Sequence, residues 1–289
     1  ISGMQELLPK EQAVFNKYKE AIREVYHRHG FLEIETPTID RAEILFAKAG
    51  GETEKQIYKV IKTDESADDA DQALRFDHTV PLARYVVEHE SNLNFPFKVT
   101  QVGRNFRGER AQKGRFREFY QCDIDVIGRG TLAVGYDAEV IQTLIEALKK
   151  ILPESKLRVR VSNRKLLTAF LEEKNLQEVA KDIFSIIDHF EKVPEEKTLE
   201  NLQSLGIGDE RVQEVLDFMK INGHAGEVSN RLGELGVDSA LFEEGRKELV
   251  ATLNTLSEGN VSGDEIVADM RIVRGLDYYT GTAFEAVLP

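Results

Sequence analysis

The densest run of side chains able to do chemistry is RNFRGERAQKGRFR at residues 104–117, where Arg104, Arg107, Arg110, Lys113, Arg115 and Arg117 are offset only by Glu109. Arginine forks grip phosphate oxygens in pairs and stabilise charge that develops at phosphorus. The whole chain has a net charge of −13, which argues against a general nucleic-acid binder. One basic segment in an acidic chain points instead to a focused anion site. Alone, the cluster reads more readily as a solvated basic loop. The stretch that follows, FYQCDIDVI at 119–127, has the character of a strand. Alternation puts Phe119, Gln121, Asp123 and Asp125 on one face and Cys122, Ile124 and Val126 on the other. A polar strand face is ordinarily the solvated side of an antiparallel sheet. Aspartate is a poor strand former, however, and two on one face lean toward a floor for something cationic. Loop and floor together suit ATP plus an amino acid. Phe119 offers a flat face to a base, and carboxylates accept from an amine or an imidazole N–H.

These residues need a scaffold, and the hydrophobic pattern outlines one. Pro9, the helical spacing of Val14, Tyr18, Ile22 and Val25, and Gly30 as a stop predict a helix over 9–30. Residues 31–37 follow as a strand ended by Pro37, and the acidic stretch DESADDAD at 64–71 reads as a loop. Leu74 to Phe76 open another strand, and Thr79 to Glu88 read as a helix with Pro81 tolerated in the first turn. Strands at 97–102 and 116–127 flank the basic segment. A helix at 137–151 carries Val140, Ile141, Leu144, Ile145 and Leu148, and a strand follows at 157–161. From 164 to 263 only helical patterns appear, one with Asp209 as its N-cap. Strand character returns at 267–273 and 282–288. No Gly-rich strand-to-helix turn or repeated βαβ unit occurs. The expected fold class is therefore α+β: a mixed, mainly antiparallel sheet flanked by helices, with a helical insertion.

With 289 residues, 41% of them hydrophobic, the chain can bury a substantial core. Its apolar runs are too short to span a bilayer, and its first residues do not form a signal peptide. The expectation is a soluble, cytoplasmic protein with no membrane contact. The single cysteine, Cys122, excludes an internal disulfide framework and a Cys-rich zinc site. His27 and His29 point to different faces of a helix, so no metal-ligand set is expected.

The segment Phe106-Arg107-Gly108-Glu109, a loop, and Arg115-Phe116-Arg117-Glu118-Phe119 resemble motif 2 of class II aminoacyl-tRNA synthetases: F-R-x-E, a variable loop, R-x-x-x-F. Gly30 to Pro37 is similar to motif 1, the helix, strand and proline of the dimer interface. Val273-Arg274-Gly275-Leu276-Asp277-Tyr278-Tyr279-Thr280-Gly281 resembles the signature specific to histidyl-tRNA synthetases. The resemblance runs from Gly3 to about Val287. It implies a class II core with motifs 1 and 2 over 1–163, a helical insertion over 164–263, and a return to the core over 264–289. It implies the catalytic region of a histidine–tRNA ligase, which forms histidyl-adenylate from histidine and ATP, with Mg²⁺ on the phosphates, and then charges tRNA(His). It also implies a homodimer through motif 1.

By the same resemblance, Arg107 contacts the α-phosphate and the histidine carboxylate, Glu109 the adenine amino group and Arg115 the terminal phosphate, while Phe119 stacks on adenine. Asp77, Thr79 and Gln121 surround the α-amino group, Asp125 contacts the imidazole, and Tyr278 and Tyr279 enclose it. Arg274 stabilises the α-phosphate in the transition state, so Arg107 and Arg274 form the catalytic pair. Many bacterial members have Glu where this chain has Asp77 and Asp125. Each residue also has a plainer reading. Asp77 would serve as a helix cap, Tyr278 and Tyr279 as core aromatics, residues 274–277 as an ion-paired turn, and Cys122 as packing. The family's motif 3 and anticodon-binding domain have no counterpart in residues 1–289, so a truncated core, weak or inactive alone, is expected. Two other readings stand beside this one: a non-catalytic, synthetase-like regulatory subunit of ATP phosphoribosyltransferase, and a dimerisation module.

Overall fold

The computed structural model describes residues 1–47, 52–64, 66, 70–259, 261, 263, 265–273 and 279–288. The chain forms two compact units, Ile1–Leu132 and Ala133–Pro289.

In the first unit, helix α1 (Pro9–Arg28) opens with proline at its first turn, where a missing N–H costs nothing. Glu11 accepts the Leu8 backbone N–H at 2.9 Å. Gly30, at φ +79°, lets the chain reverse so that Phe31 N–H reaches the Tyr26 carbonyl at 3.1 Å. Strand β1 (Leu32–Glu33) then runs parallel to β5 (Phe97–Phe106), and β5 pairs antiparallel with β6 (Glu118–Ile127) along its whole length. A second, antiparallel sheet has the order β2 (Ile39–Arg41), β4 (Gln72–Leu74), β3 (Lys59–Val60). Short helices α2 (Ala42–Phe46) and α3 (Glu52–Lys55) and the longer α4 (Thr79–His89) complete the unit.

Several expectations shift here. The strand foreseen over 31–37 keeps only two paired residues, because after Ile34 N–H bonds Thr100 O the chain leaves β5 for β2. The strand foreseen over 97–102 runs on to Phe106, and its partner begins at Glu118 rather than 116. The strand foreseen at 74–76 is Gln72–Leu74.

In the second unit, α5 (Gly135–Ile151) leads to β7 (Arg158–Asn163) and α6 (Arg164–Glu173). Asn163 caps α6 by accepting the Lys165 N–H at 3.0 Å. Helices α7 (Ala180–His189), α8 (Glu195–Ser204), α9 (Asp209–Met219), α10 (Ala225–Glu234) and α11 (Ala240–Glu258) surround one apolar core that includes Leu166, Phe170, Ile183, Leu202, Phe218 and Leu249. The sheet order is β10 (Thr282–Val287), β7, β9 (Ile266–Asp269), β8 (Asn222–Gly223). β7 pairs antiparallel with β10 and parallel with β9, and β8 pairs antiparallel with β9. Both sheets that hold parallel pairs also hold antiparallel ones, so the α+β class holds. The stretch expected to be wholly helical contains β8, too short to show alternation. Asp209 is not the N-cap: Gly208 is, at φ +83°, and Asp209 is the first helical residue. Strand β9 ends at Asp269, short of the expected 273. Among the described residues no helix is long and apolar enough to cross a membrane.

Candidate active site

Strand β6 separates two environments, as its alternation requires. On the even face Tyr120 meets Phe15 of α1 edge-on at 5.1 Å, with Lys19 4.8 Å above its ring. Tyr26 Oη donates to the Cys122 carbonyl at 3.0 Å, and burial pushes the Cys122 thiol up to about 11. Cys122 therefore packs, and its thiol does not ionise near neutrality. The odd face holds Phe119, Gln121, Asp123 and Asp125, and the residues between β4 and α4 lie over it.

That connection is Arg75-Phe76-Asp77-His78, and the first and the last two are each less than a tenth exposed although polar. Arg75 donates to the carbonyls of Thr36 at 2.6 Å and Arg104 at 2.8 Å. Asp77 Oδ1 accepts the Val80 N–H at 3.0 Å beside the first turn of α4, although the N-cap position itself is His78, one residue beyond the Asp77 cap expected from the sequence. His78 Nδ1 lies 3.2 Å from Asp123 Oδ2. Thr79 begins α4 and is half-buried. Asn105 Nδ2 donates to Gln121 Oε1 at 2.5 Å, which fixes the orientation of that amide.

The electrostatics follow from crowding. Asp125 is pushed up to about 7, first by burial and then by the charges of Asp123 and Asp77. Asp77 is also raised, chiefly by burial, while the Val80 N–H and Arg107 pull the other way. The floor is thus short of positive charge. It suits a ligand that brings an ammonium group and a ring N–H.

The basic segment forms the rim of this floor. Arg107 lies between two rings, 4.3 Å from the centroid of Phe76 and 5.0 Å from that of Phe119, and its Nε donates to the Phe76 carbonyl at 3.3 Å. Gly108 N–H bonds the Gln56 carbonyl at 2.7 Å, and a Cβ on Gly108 would sit a tight 3.1 Å from that oxygen. Gln112 and Arg115 exchange both backbone hydrogen bonds around Gly114, at φ +79°, closing a two-residue turn. This brings Arg115 back to Glu109, 3.5 Å apart, with Arg115 exposed. Arg117 is tied down instead, donating to the Glu109 carbonyl at 3.0 Å. The unit therefore gathers Asp77, Thr79, Arg107, Glu109, Arg115, Phe119, Gln121 and Asp125 around one strand pair. Arg274 and Tyr278 lie outside the described residues. Tyr279 belongs to the second unit and is exposed. Sequence reasoning passed over Arg75, His78 and Asn105. The polar run R-F-D-H between a strand and a helix was the one available signal.

The sequence model for histidyl-tRNA synthetases matches residues 3–289. The chain belongs to the histidyl-tRNA synthetase family. It is 45% identical over 288 residues to the histidine–tRNA ligase of Clostridium tetani and 42% identical to that of Clostridium acetobutylicum, covering 100% of this chain in both cases. It spans 64% and 65% of the length of those two relatives. Among solved structures, the histidyl-tRNA synthetase from Nostoc sp. PCC 7120 superposes with a TM-score of 0.88 at 37% identity, over 100% of this chain and 64% of that one. An ATP phosphoribosyltransferase regulatory subunit/histidyl-tRNA synthetase from Bacillus halodurans C superposes at 0.83, but at 20% identity that likeness shows a shared fold alone. Histidyl-tRNA synthetase relatives at twice that identity favour the synthetase over the regulatory-subunit reading.

Proposed function

We propose that this chain is the part of a histidine–tRNA ligase that binds histidine and ATP and joins them as histidyl-adenylate, which a longer protein then uses to charge tRNA(His). The observation that carries the reading is the odd face of β6. A crowded carboxylate floor lies beside Arg107, with the arginine hairpin at its rim. Histidine's ammonium and imidazole N–H suit the floor, and its carboxylate and the ATP phosphates suit the rim.

In this reading the histidine carboxylate attacks the α-phosphorus of ATP, and pyrophosphate leaves. The side chains do no covalent work. They hold both reactants in line and neutralise charge, as phosphoryl-transfer sites do. Arg107 grips the α-phosphate and the histidine carboxylate, Arg115 reaches the terminal phosphate, Glu109 accepts from the adenine amino group, and Phe119 lies under the base. Asp77, Thr79 and Gln121 receive the α-amino group and Asp125 the imidazole. Arg274 adds charge at the α-phosphate, and Tyr278 and Tyr279 close the imidazole pocket. ATP arrives with Mg²⁺ as a substrate. Among the described residues no group of three or more His, Cys, Asp or Glu is placed to hold a metal ion.

Residues 164–263 are, in this proposal, an insertion between core stretches 1–163 and 264–289, and the molecule pairs with a second copy through α1 and residues 29–37. Exposed Leu8, Val14 and Tyr18 on and beside α1 support the pairing. The test of function is histidine-dependent ATP–pyrophosphate exchange by a protein containing residues 1–289. Exchange should require histidine and fall at least a hundredfold in Arg107→Ala, since loss of one charge-stabilising group typically costs about 10²–10³ in rate. Absence of histidine-dependent exchange would overturn the reading.

A further inference from the structure

The arginine hairpin at the rim is held from outside by two segments that lie far from it in the sequence. On its outgoing leg, Gly108 N–H bonds the Gln56 carbonyl at 2.7 Å. On its returning leg, the backbone N–H groups of Arg117 and Glu118 both donate to the Gly3 carbonyl, at 2.7 and 3.2 Å. The Arg117 side chain ties the same point together: Nη1 donates to the Ser2 carbonyl at 3.3 Å and Nε to the Glu109 carbonyl at 3.0 Å. Residues 1–4 are shaped for this contact. Met4 N–H bonds the Ile1 carbonyl at 3.2 Å, and Gly3 takes φ +82° at the third position of the turn, where glycine is favoured. A Cβ on Gly3 would lie 3.0 Å from both Ala111 Cβ and Arg117 Cγ. The turn therefore sits against both legs of the hairpin, and a side chain at position 3 would push it away.

We propose that residues 1–4 form a positioning strap that sets the arginine hairpin in its ATP-binding shape, so that losing the strap weakens ATP binding and leaves histidine binding as it was. This rests on the function proposed above, in which Glu109 and Arg115 meet ATP. Both residues lie between the clamped ends of the hairpin, and Arg115 is exposed at the rim. An unclamped loop must give up backbone freedom when the nucleotide binds, which lowers its affinity. The strap orders the loop during folding instead. Glu109 is placed most directly, because Arg117 holds its carbonyl while Ser2 and Gly3 hold Arg117. The histidine floor is set by other contacts. Asp77 is fixed by the Val80 N–H, Gln121 by Asn105, and Asp125 by the β5–β6 register. A fault in the strap should therefore separate the two substrates.

The experiment measures the KM for ATP and for histidine in pyrophosphate exchange by a protein containing residues 1–289. Beside them it measures the rate at which trypsin first cuts after Arg110, Lys113 or Arg115. Gly3→Val combines a φ that valine avoids with a Cβ that cannot fit unless the strap moves. It should raise the ATP KM about tenfold, equivalent to about 1.4 kcal/mol and within the net worth of two hydrogen bonds, with the histidine KM unchanged within about twofold. Trypsin should cut the hairpin several times faster, since cleavage follows the population of the opened loop. A chain beginning at Met4 should behave in the same way, and it decides the matter if the valine variant does not fold. An unchanged ATP KM, whatever the cleavage rate, or equal rises in the two KM values would overturn this proposal alone. An unmodified protein with no histidine-dependent exchange would overturn the function. Cleavage then decides whether the strap orders the hairpin: a faster cut in Gly3→Val would sustain that ordering, and an unchanged rate would overturn it as well.

Discussion

Asp125 is held where burial and two like charges oppose its ionisation, and that conflict has a measurable consequence for stability. Its carboxyl is raised from 3.8 to about 7 in the folded chain. Between those values the folded state keeps a proton that the unfolded state has lost. The contribution of Asp125 to stability is therefore full below about pH 4 and declines as pH rises through about 7. Asp125→Asn removes the penalty, so the variant should melt several degrees above the unmodified chain at pH 8 and almost with it at pH 4. Thermal melts by circular dichroism at the two pH values check this; a difference that grew toward low pH would contradict the assigned crowding. The face of β6 that carries Asp125 was readable because strand alternation is a local property. Arg75, His78 and Asn105 were not, since their importance comes from burial under another element, which no sequence window contains.

At the scale of elements, the β5–β6 pair is the frame on which the floor and rim are built. Its register, Gly103 opposite Gln121 and Asn105 opposite Phe119, sets which groups meet. Gly103 is a tight point of that frame: a Cβ there would lie 2.7 Å from Arg75 Nη2 and 3.2 Å from His78 Nε2, and Arg75 is anchored by two carbonyls. Gly103→Ala should cost about 1–3 kcal/mol, the usual range for overpacking. Urea denaturation would measure it, and a loss below about 0.5 kcal/mol, the scatter of ordinary surface changes, would show that Arg75 and His78 yield to the added methyl group. The long, strongly periodic elements α1, α5 and β6 were readable nearly to their ends. The elements that escaped were those fixed by partners far along the chain. β1 stops where its contact with β5 stops, β8 exists because β9 pairs with it, and β5 outruns its hydrophobic pattern because β6 continues opposite Arg104 and Asn105. Asp209 looked like a cap, but the positive φ at Gly208 moved the helix start by one residue.

At the scale of the whole molecule, the exposed apolar residues beside and along α1 lead to a prediction about assembly. Leu8, Val14 and Tyr18 are 69%, 49% and 44% exposed, and a two-fold contact is the commonest way to cover such a surface. Sedimentation at roughly tens of micromolar, where a stable dimer persists, should give a dimer, and Val14→Glu combined with Tyr18→Glu should give a monomer. A monomer from the unmodified chain would count against pairing through α1. Family and fold class were readable because motif 2 and the 273–281 string are contiguous in sequence. Contacts that assemble only in three dimensions were not.

In the proposed function the odd face of β6 selects histidine while the arginine rim takes ATP, and Asp125→Ala in a protein containing residues 1–289 separates the two roles. The measurement is the pair of KM values, for histidine and for ATP, in pyrophosphate exchange at pH 8. The expected outcome is a rise in the histidine KM of roughly 10- to 150-fold, the worth of a hydrogen bond to a charged group at about 1.5–3 kcal/mol, with the ATP KM unchanged within about twofold. If the two values rise together, or the histidine KM stays where it was, Asp125 is not the histidine floor and the site has been assigned to the wrong face.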